Sequence, residues 1–327
     1  MGQNIGLRLI RRRRVCTADR PLKRNNDVMT ESRRKSRGFS LVEIAIVLAI
    51  LGFVLTIGLK STGAYLSAER RQTTVARLAG VDAALVNYVA LQKRLPCPAV
   101  GSSAAGVEAG RAANGTCSVA VLNNGVVPWV TLGISEAEAQ DGWGNRISYR
   151  TANSAGTALT LDNAMDLTKC DPAGTNTTLD PGSVPQNLNS CKTPSTTDAT
   201  LNNSPKTFIA GRGITIQNGA GTVLMDSSVT TGLTGAAYLL ISHGENLAGA
   251  YSSGGQIQIG EPPNLPAAPA YEDRNKNRPN DPAIAMPPYF VDAPQSDLPG
   301  NTQFDDIILR PTVISVATRA GLGPRKP

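Results

Sequence analysis

Residues 37–60 read RGFSLVEIAIVLAILGFVLTIGLK, a basic end followed by an almost unbroken apolar run. Within this stretch, residues 39–59 include a single charged side chain, that of Glu43. A helix of this length, at about 1.5 Å of rise per residue, spans the roughly 30 Å hydrocarbon core of a bilayer. The basic cluster before it predicts a cytoplasmic N-terminal side and export of the chain after Lys60. That cluster consists of Arg33, Arg34, Lys35 and Arg37.

Glu43 distinguishes three kinds of apolar segment: a cleaved secretory signal, a plain signal anchor and a helix that assembles with other helices. A charged side chain costs on the order of 2.5–3.5 kcal/mol at the centre of a bilayer and less near the interface, so this carboxylate requires a partner. A signal peptide or a simple anchor provides none. The alternative is a chance acidic residue close to the membrane interface.

The stretch RGFSLVEIAIVLAILG resembles the N-terminus of type IV pilins and of type II secretion pseudopilins. The resemblance implies that a membrane prepilin peptidase cuts after Gly38 on the cytoplasmic face and N-methylates the new terminus, Phe39. Glycine suits such a cut site because it has no Cβ and tolerates unusual dihedral angles. The helix then remains as the assembly element, and Glu43 neutralises the amine of a neighbouring subunit in the low-dielectric filament core.

The same resemblance implies the partners and the location of the protein. The expected partners are prepilin peptidase, other pilin-like subunits in a filament, the inner-membrane assembly platform and membrane lipid. The protein is expected to cross the inner membrane once, with its N-terminus in the cytoplasm and its head in the periplasm. After assembly it is associated with the filament.

The predicted fold class is α+β, with a long N-terminal helix packed on an antiparallel β-sheet head that carries long disulfide-stapled loops. Because a leader of 38 residues is long for this family and Met29 begins the compact leader MTESRRKSRG, Met29 is an alternative start. The predicted segments are a basic leader removed by the peptidase (1–38), a transmembrane and filament-core helix (39–59), its amphipathic continuation (60–94), and a β-rich periplasmic head (95–327) with a polar insertion at about 151–235.

The net charge of +7 does not indicate a nucleic-acid-binding surface, because the basic residues are unevenly placed. Residues 1–38 hold twelve Lys and Arg against three acidic residues, a net charge of +9, which leaves −2 for the remainder. No basic patch is left to contact a phosphate backbone, so no nucleic-acid partner is expected. The low aromatic content of 4%, with 32 Gly and 22 Pro, favours a head of strands and loops.

Four of the five cysteines form two pairs, Cys97 with Cys117 and Cys170 with Cys191, each closing a loop of about twenty residues. Such pairs downstream of a membrane segment predict two disulfides made in an oxidising compartment. Free thiols or a metal site are the alternatives, but the chain has no C-x-x-C and only one histidine. Cys16 lies in the leader.

The helical pattern continues beyond Lys60, and Pro96 and Pro98 in LPCP predict where it stops. Apolar residues spaced three and four apart predict one buried stripe along this continuation. The stripe consists of Val75, Leu78, Val81, Leu85 and Tyr88.

The segments LPCP, VPWVTLG and DGWGNRISY resemble a subgroup of large pilin-like proteins, and DGWGN resembles the loop before a strand in major pseudopilins. Core packing is favoured over a binding role for Trp129 and Trp143. Residues 146–150 alternate in polarity, as in a half-buried strand. Near the C-terminus, FDDIILRPTVISVAT is interpreted as a closing strand pair.

The sequence predicts no catalytic site. Ser242 and His243 are adjacent, so on a strand they point to opposite faces; no G-x-S-x-G elbow is present, and a turn-capping role is favoured for the histidine. No cofactor is expected, because no Walker loop, dinucleotide fingerprint or zinc spacing occurs. Some pseudopilins hold calcium in the C-terminal loop region, and two acidic pairs here supply oxygen ligands for that ion, without EF-hand spacing. These calcium candidates are Glu272, Asp273, Asp305 and Asp306.

These observations favour a structural subunit over an enzyme, specifically a minor pseudopilin of a type II secretion system. The 289 residues that follow Gly38 make a large subunit for a repeating major component, and DGWGN favours the secretion machine. A minor type IV pilus subunit, serving adhesion, motility or DNA uptake, is the first alternative. A signal-anchored periplasmic enzyme or binding protein is the second, and it would need neither Gly38 nor Glu43.

Overall fold

The computed structural model of the protein describes eleven stretches of the chain. They are residues 38–104, 109–112, 117–152, 158–168, 191–192, 201–202, 212–227, 235–258, 271–277, 289–296 and 303–324. The chain divides into two compact units, Met1–Thr56 and Ile57–Pro327, and the boundary lies within the first helix.

The described elements are mostly short, apart from one long helix. The helices are α1 (Leu41–Gln92), α2 (Val119–Asn124), α3 (Trp129–Leu132) and α4 (Val313–Arg319), and Tyr271–Arg274 form a 3₁₀ turn. The strands are β1 (Ala99–Val100), β2 (Gly125–Val126), β3 (Asn145–Arg146), β4 (Ser148–Thr151), β5 (Cys191–Lys192), β6 (Leu201–Asn202), β7 (Ile216–Gln217), β8 (Val223–Met225), β9 (Tyr238–Ser242), β10 (Tyr251–Ser252), β11 (Phe290–Val291) and β12 (Ile307–Leu309).

In the first unit, α1 begins where Ser40 accepts hydrogen bonds at its carbonyl oxygen from the backbone N–H groups of Glu43 and Ile44, at 3.0 and 3.2 Å. Apart from Glu43, the side chains that follow are apolar, and they are exposed on every side of the helix up to Val54. A helix that is apolar all round is typical of one surrounded by lipid or by other helices.

In the second unit, α1 supplies one wall of the core. Its buried stripe consists of Leu78, Val81, Leu85 and Val89, which pack with side chains of the sheet and of α4. The prediction is wrong for Val75, which is 55% exposed, and Tyr88 is only partly buried. The reason for Val75 is that the neighbouring Thr74 faces the head instead and is fully buried.

The principal sheet is antiparallel and has the strand order β1-β2-β4-β9-β12. Its centre is the pair β4 and β9, in which Tyr149 lies opposite Leu240 and Thr151 lies opposite Tyr238. Smaller sheets surround it: β3 with β10, β5 with β6, and β7 with β8 and β11, of which the β7–β11 pair is parallel. The fold is therefore α+β, a long apolar helix followed by mainly antiparallel sheets.

Two predictions of strand character are corrected. Residues of β4 are buried on both faces, because the polar Ser148 and Arg150 are covered by loops that hydrogen-bond to them. After β12 the chain forms a helix rather than a second strand. Thr312 caps this helix by accepting a 3.2 Å hydrogen bond from the N–H of Ser315, and the buried Val313, Val316 and Ala317 have helical spacing.

Cys97 and Cys117 form a disulfide, with their Cα atoms 5.5 Å apart, just beyond the exit of α1. It holds the segment before α2 against β1. The predicted partner pair falls on Cys170, which lies outside the described residues, and on Cys191, of which only the backbone is described.

Candidate functional site

The predicted processing site lies at the start of the described chain. Gly38 has open space around it, because a Cβ placed there would meet no atom within 4 Å. Phe39 is 77% exposed and precedes the first turn of α1. Among the described residues, none therefore blocks the approach of a protease to the peptide bond between Gly38 and Phe39.

Glu43 lies in the first turn of α1, where its charge is favoured by the positive end of the helix dipole. It is exposed, and so are the apolar side chains on both sides of it, including Val42 and Ile44. A single carboxylate thus lies in an apolar surface that is suited to burial in lipid or against other helices.

Two parts of α1 are apolar enough to be considered as membrane-embedded segments. Of the described residues, Tyr65–Gln92 has the length and composition of a membrane span, and Leu41–Val54 forms a shorter apolar helix. The first of these is a core helix of the second unit, since one face of it is buried among head residues. Core helices of soluble domains meet the same criterion, so the exposed segment at Leu41–Val54 is the better membrane candidate.

The DGWGN loop docks directly on α1. The N–H of Gly142 donates a 2.9 Å hydrogen bond to Thr74 Oγ1, and the Arg77 guanidinium donates to the carbonyl oxygens of Gln140 and Asp141. A Cβ on Gly142 would lie 2.1 Å from the backbone oxygen of Arg70. The second residue of the motif must therefore be glycine for the loop to lie this close to the helix.

Both tryptophan side chains are at least partly buried within the described part of the head. Trp129 is buried, and the guanidinium of Arg146 stacks 4.9 Å from its ring, which supports the interpretation as core packing. Arg146 is itself buried and donates to the carbonyl oxygens of Gly101, Ser103 and Ser253 and to the Glu136 carboxylate. Trp143, which is part of the docked DGWGN loop, is half-buried.

Ser242 and His243 do not pair with each other, as their adjacent positions predicted. The Ser242 hydroxyl donates to Asp141 Oδ2 at 2.7 Å, whereas His243 Nε2 lies 2.9 Å from Ser148 Oγ. On its other side, His243 Nδ1 lies 3.6 Å from Asp306 Oδ1.

Ser148 contacts His243, which in turn lies near Asp306, as the serine, histidine and aspartate of a hydrolase triad do. The environment of these residues does not suit hydrolase chemistry. Ser148 is fully buried in the middle of the sheet, and its oxygen accepts a 2.8 Å hydrogen bond from Asn277 Nδ2. Burial, with a further contribution from the charge of Arg150, lowers the pKa of His243 to about 3, so the imidazole is a poor base at neutral pH. The three residues form a buried polar network.

Three of the four calcium candidates converge. The carboxylate oxygens of Glu272, Asp305 and Asp306 lie within 4.8 Å of one another, and all three residues are buried. Burial, followed by the charge of Asp306, raises the pKa of Glu272 to about 8, and burial also raises the pKa of Asp306 well above its usual value. Asp273 lies apart from this cluster, with its carboxylate 3.7 Å from Lys276 Nζ.

Sequence reasoning missed several members of this polar centre. Asn277 bridges Arg150, Ser148 and the carbonyl oxygen of Gly249, while Asn275 donates to Asp306 at 2.7 Å. The only sequence signal was the polar run EDRNKN inside a proline-rich stretch, which predicted a loop and not its partners.

The family model described as a prokaryotic N-terminal methylation motif matches residues 33–59. This motif is the signature of type IV pilins and pseudopilins. It implies processing by prepilin peptidase and assembly with other pilin subunits, and it indicates a structural subunit anchored by one membrane helix. No curated protein and no solved structure matches the chain.

Proposed function

We propose that the protein is a minor pseudopilin of a type II secretion system, cut after Gly38, methylated at Phe39 and assembled into a filament through its N-terminal helix. The observation that carries this proposal is the methylation motif at residues 33–59, which leads into one continuous helix, Leu41–Gln92. The exposed apolar side chains of that helix up to Val54 give it a surface to bury in the membrane and then among neighbouring helices.

In this proposal Glu43 sets the position of each subunit in the filament. Cleavage creates an ammonium group at Phe39, and the Glu43 carboxylate of one subunit pairs with the amine of the next. A charge left unpaired in an apolar filament core is costly, so subunits that fail to form this pair are rejected.

The head is proposed to lie in the periplasm. The basic cluster before Gly38 favours a cytoplasmic N-terminus, and the disulfide between Cys97 and Cys117 favours an oxidising compartment for the head. In this proposal the subunit inserts into the inner membrane before assembly. There its helix first contacts membrane lipid and the assembly platform.

The choice of a secretion machine rests on the resemblance of DGWGN to the loop of major pseudopilins, and that loop docks on α1 here through Gly142 and Thr74. The alternative is a minor type IV pilus subunit. Deleting the gene separates the two: loss of exoprotein secretion with intact surface pili supports the secretion machine, whereas loss of pili or twitching supports the alternative.

The processing step is tested by the intact mass of the protein made with and without its prepilin peptidase. We expect a terminus at methylated Phe39 that depends on the peptidase and is lost in Gly38→Val. The matched control is Gly52→Val, since Gly52 also has open space around its Cα but lies inside α1. An uncleaved terminus in the wild type would indicate a signal-anchored protein, and a cut beyond Leu59 would indicate a secreted one; either result would contradict the proposal.

The assembly step is tested separately with Glu43→Ala. This variant is expected to be processed normally and to be absent from sheared filaments, since the carboxylate acts after cleavage. Incorporation at the wild-type level would support a signal-anchored periplasmic enzyme or binding protein instead.

A further inference from the structure

The head carries an open groove beside α1, within the second unit. One side of the groove is α1 itself, which lines it with Thr73, Ala76 and Gly80, and the other side is the turn that holds Ile134 and Glu138. The groove has a volume of about 370 Å³, and its lining is mostly apolar. Gly80 keeps it open, because a Cβ there would meet no atom within 4 Å.

The polar side chains of the groove are engaged by the head rather than offered to a ligand. The Arg77 guanidinium donates to the carbonyl oxygens of Gln140 and Asp141. The Glu138 carboxylate accepts from the N–H and the hydroxyl of Ser135, both at 2.8 Å. A small-molecule site brings a few polar groups together to orient its ligand. This groove instead presents open apolar surface, which suits a polypeptide.

The exposed side of α1 that continues the groove is uncharged. Residues 72–92 include two charged side chains, of which Arg77 is half-buried and Asp82 is buried. The side of a helix that faces water normally carries charges, whereas the centre of a protein interface is depleted of them. Leu91 is 80% exposed and lies eleven residues after Gly80, close to three turns, which places it on the same side of the helix. The uncharged surface therefore extends from the groove almost to the end of α1.

A charged residue at the rim argues against lipid as the occupant. The Glu138 carboxylate is exposed, and the hydrogen bonds from the backbone and the hydroxyl of Ser135 lower its pKa, so it is ionised at neutral pH. An ionised carboxylate is costly against hydrocarbon. An apolar centre with a polar rim is typical of a protein–protein interface.

A matching apolar surface lies at the start of the same helix. Leu41–Val54 is an apolar segment whose side chains are exposed, with Glu43 as its one charged residue, and the methylation motif implies assembly with other pilin subunits. At about 1.5 Å of rise per residue, this segment is about 20 Å long. The uncharged side of α1 from Thr73 to Leu91 is about 27 Å long by the same measure. It is therefore long enough to cover the whole segment.

We propose that the groove, together with the uncharged side of α1 up to Leu91, binds the apolar first segment of α1 of a neighbouring pilin-like subunit. This inference rests on the proposed filament function and adds a contact made by the head to the pair formed by Glu43. Because Gly80 has no side chain, the neighbouring helix can approach to the 8–10 Å between axes that is typical of packed helices. The head thereby selects its neighbour, since a charge in the docked part of that segment would be buried without a partner.

The first test fills the groove in the full chain, produced in cells that assemble the filament. Gly80→Trp is expected to be processed after Gly38 and to keep the wild-type urea midpoint. Its amount in sheared filaments should fall at least about tenfold, which corresponds to a contact of about 1.4 kcal/mol. Gly80→Ala leaves the groove open, and Ala79→Trp places the same large side chain at an exposed position about 100° round the helix. Both controls should assemble at the wild-type level.

Photo-crosslinking identifies the occupant without blocking the groove. With p-benzoylphenylalanine in place of Leu91, irradiated filaments should yield a crosslink to the methylated N-terminal segment of a pilin-like subunit. The same probe in place of Val223, an exposed residue of β8, should yield none to that segment.

Three outcomes would overturn the inference alone: incorporation of Gly80→Trp at the wild-type level, a crosslink from position 91 to phospholipid, or one only to the head of a neighbour. Failure of the proposed function is distinguishable from these outcomes. It would be seen in the wild type, as a chain that is not cut after Gly38 or is absent from filaments, and it would overturn both proposals.

Discussion

Asp82 is a buried acidic side chain of α1, next in sequence to Val81 of the buried stripe, and its removal should destabilise the head strongly. Its Oδ1 accepts a hydrogen bond from the Tyr238 hydroxyl of β9 and its Oδ2 accepts one from Arg319 of α4, both at 2.5 Å. Asp82 is 6% exposed and Tyr238 is fully buried, whereas 44% of the Arg319 side chain is exposed. The carboxylate thus joins the long helix to the sheet and to the C-terminal helix.

The two contacts differ in expected energy because their burial differs. A buried hydrogen bond to a charged group contributes about 1.5–3 kcal/mol, so Tyr238→Phe should lower the free energy of unfolding of the head by that amount. The Arg319 ion pair is largely in solvent, and Arg319→Ala should cost about 0.2–1 kcal/mol. Asp82→Ala loses both contacts and leaves a buried hydroxyl without an acceptor, for a total of about 2–4 kcal/mol.

The assay is urea unfolding of the full mature chain in detergent, followed by the fluorescence of Trp129 and Trp143, which report on the head alone. The matched control is Asp82→Asn, which keeps an acceptor for Tyr238 and loses the charge. In a double-mutant cycle, Asp82→Ala and Tyr238→Phe should fall short of additivity by about 1–2 kcal/mol. Additive losses in the cycle, or an Asp82→Asn variant as unstable as Asp82→Ala, would show that the hydrogen bond between Tyr238 and Asp82 does not stabilise the head as argued.

Three further predictions address other parts of the head. Cys97→Ser should cost about 2–4 kcal/mol through loss of its disulfide, and reductant should lower the urea midpoint of the wild type by more than that of the variant, which keeps only the predicted pair Cys170 and Cys191. Gly142→Ala should lower the thermal midpoint, because its Cβ would meet a backbone oxygen of α1 at 2.1 Å, whereas Gly80→Ala, a helical position with open space, should be neutral or stabilising. Burial raises the pKa of Asp166, but the hydrogen bonds from Lys93 and Thr168, together with the charge of Lys93, outweigh this and leave the pKa below its ordinary value of 3.8. The stabilisation from these contacts of the Asp166 carboxylate is therefore complete well above pH 3.8 and lost as the pH falls through the lower folded-state pKa. Asp166→Asn should flatten the acid limb of a midpoint-versus-pH curve, and an unchanged limb would contradict this prediction.

The long helix could be predicted because its determinants are local. An apolar run with one carboxylate, a helical spacing of apolar residues and two prolines after the end all act over a few turns of chain. The stripe was nevertheless placed wrongly at Val75, since hydropathy alone does not reveal that Thr74 finds a polar partner in Gly142. A polar residue can occupy a buried helical position when another segment supplies its hydrogen bond.

The buried polar centre could not be predicted because its contacts are made between segments far apart in sequence. Ser148 and His243 are 95 residues apart, and Asn277 and Ser148 are 129 residues apart. Each of these residues, taken alone, is typical of a turn or of an exposed strand face. The acidic pairs were noticed as ligands, but nothing local indicates that Asp273 faces Lys276 while Glu272 faces the aspartates.

The polar contacts of α1 have a consequence for a subunit that is assembled through its helix. A stripe of Leu and Val side chains alone would pack almost as well after a shift of one turn, about 5.4 Å, along the helix axis. Thr74, Arg77 and Asp82 remove that freedom, since such a shift would separate Gly142, the carbonyl of Asp141 and the hydroxyl of Tyr238 from their partners. An unpaired carboxylate in the core is far more costly than an imperfect apolar contact. The head is therefore held at one position along the part of α1 that belongs to the second unit.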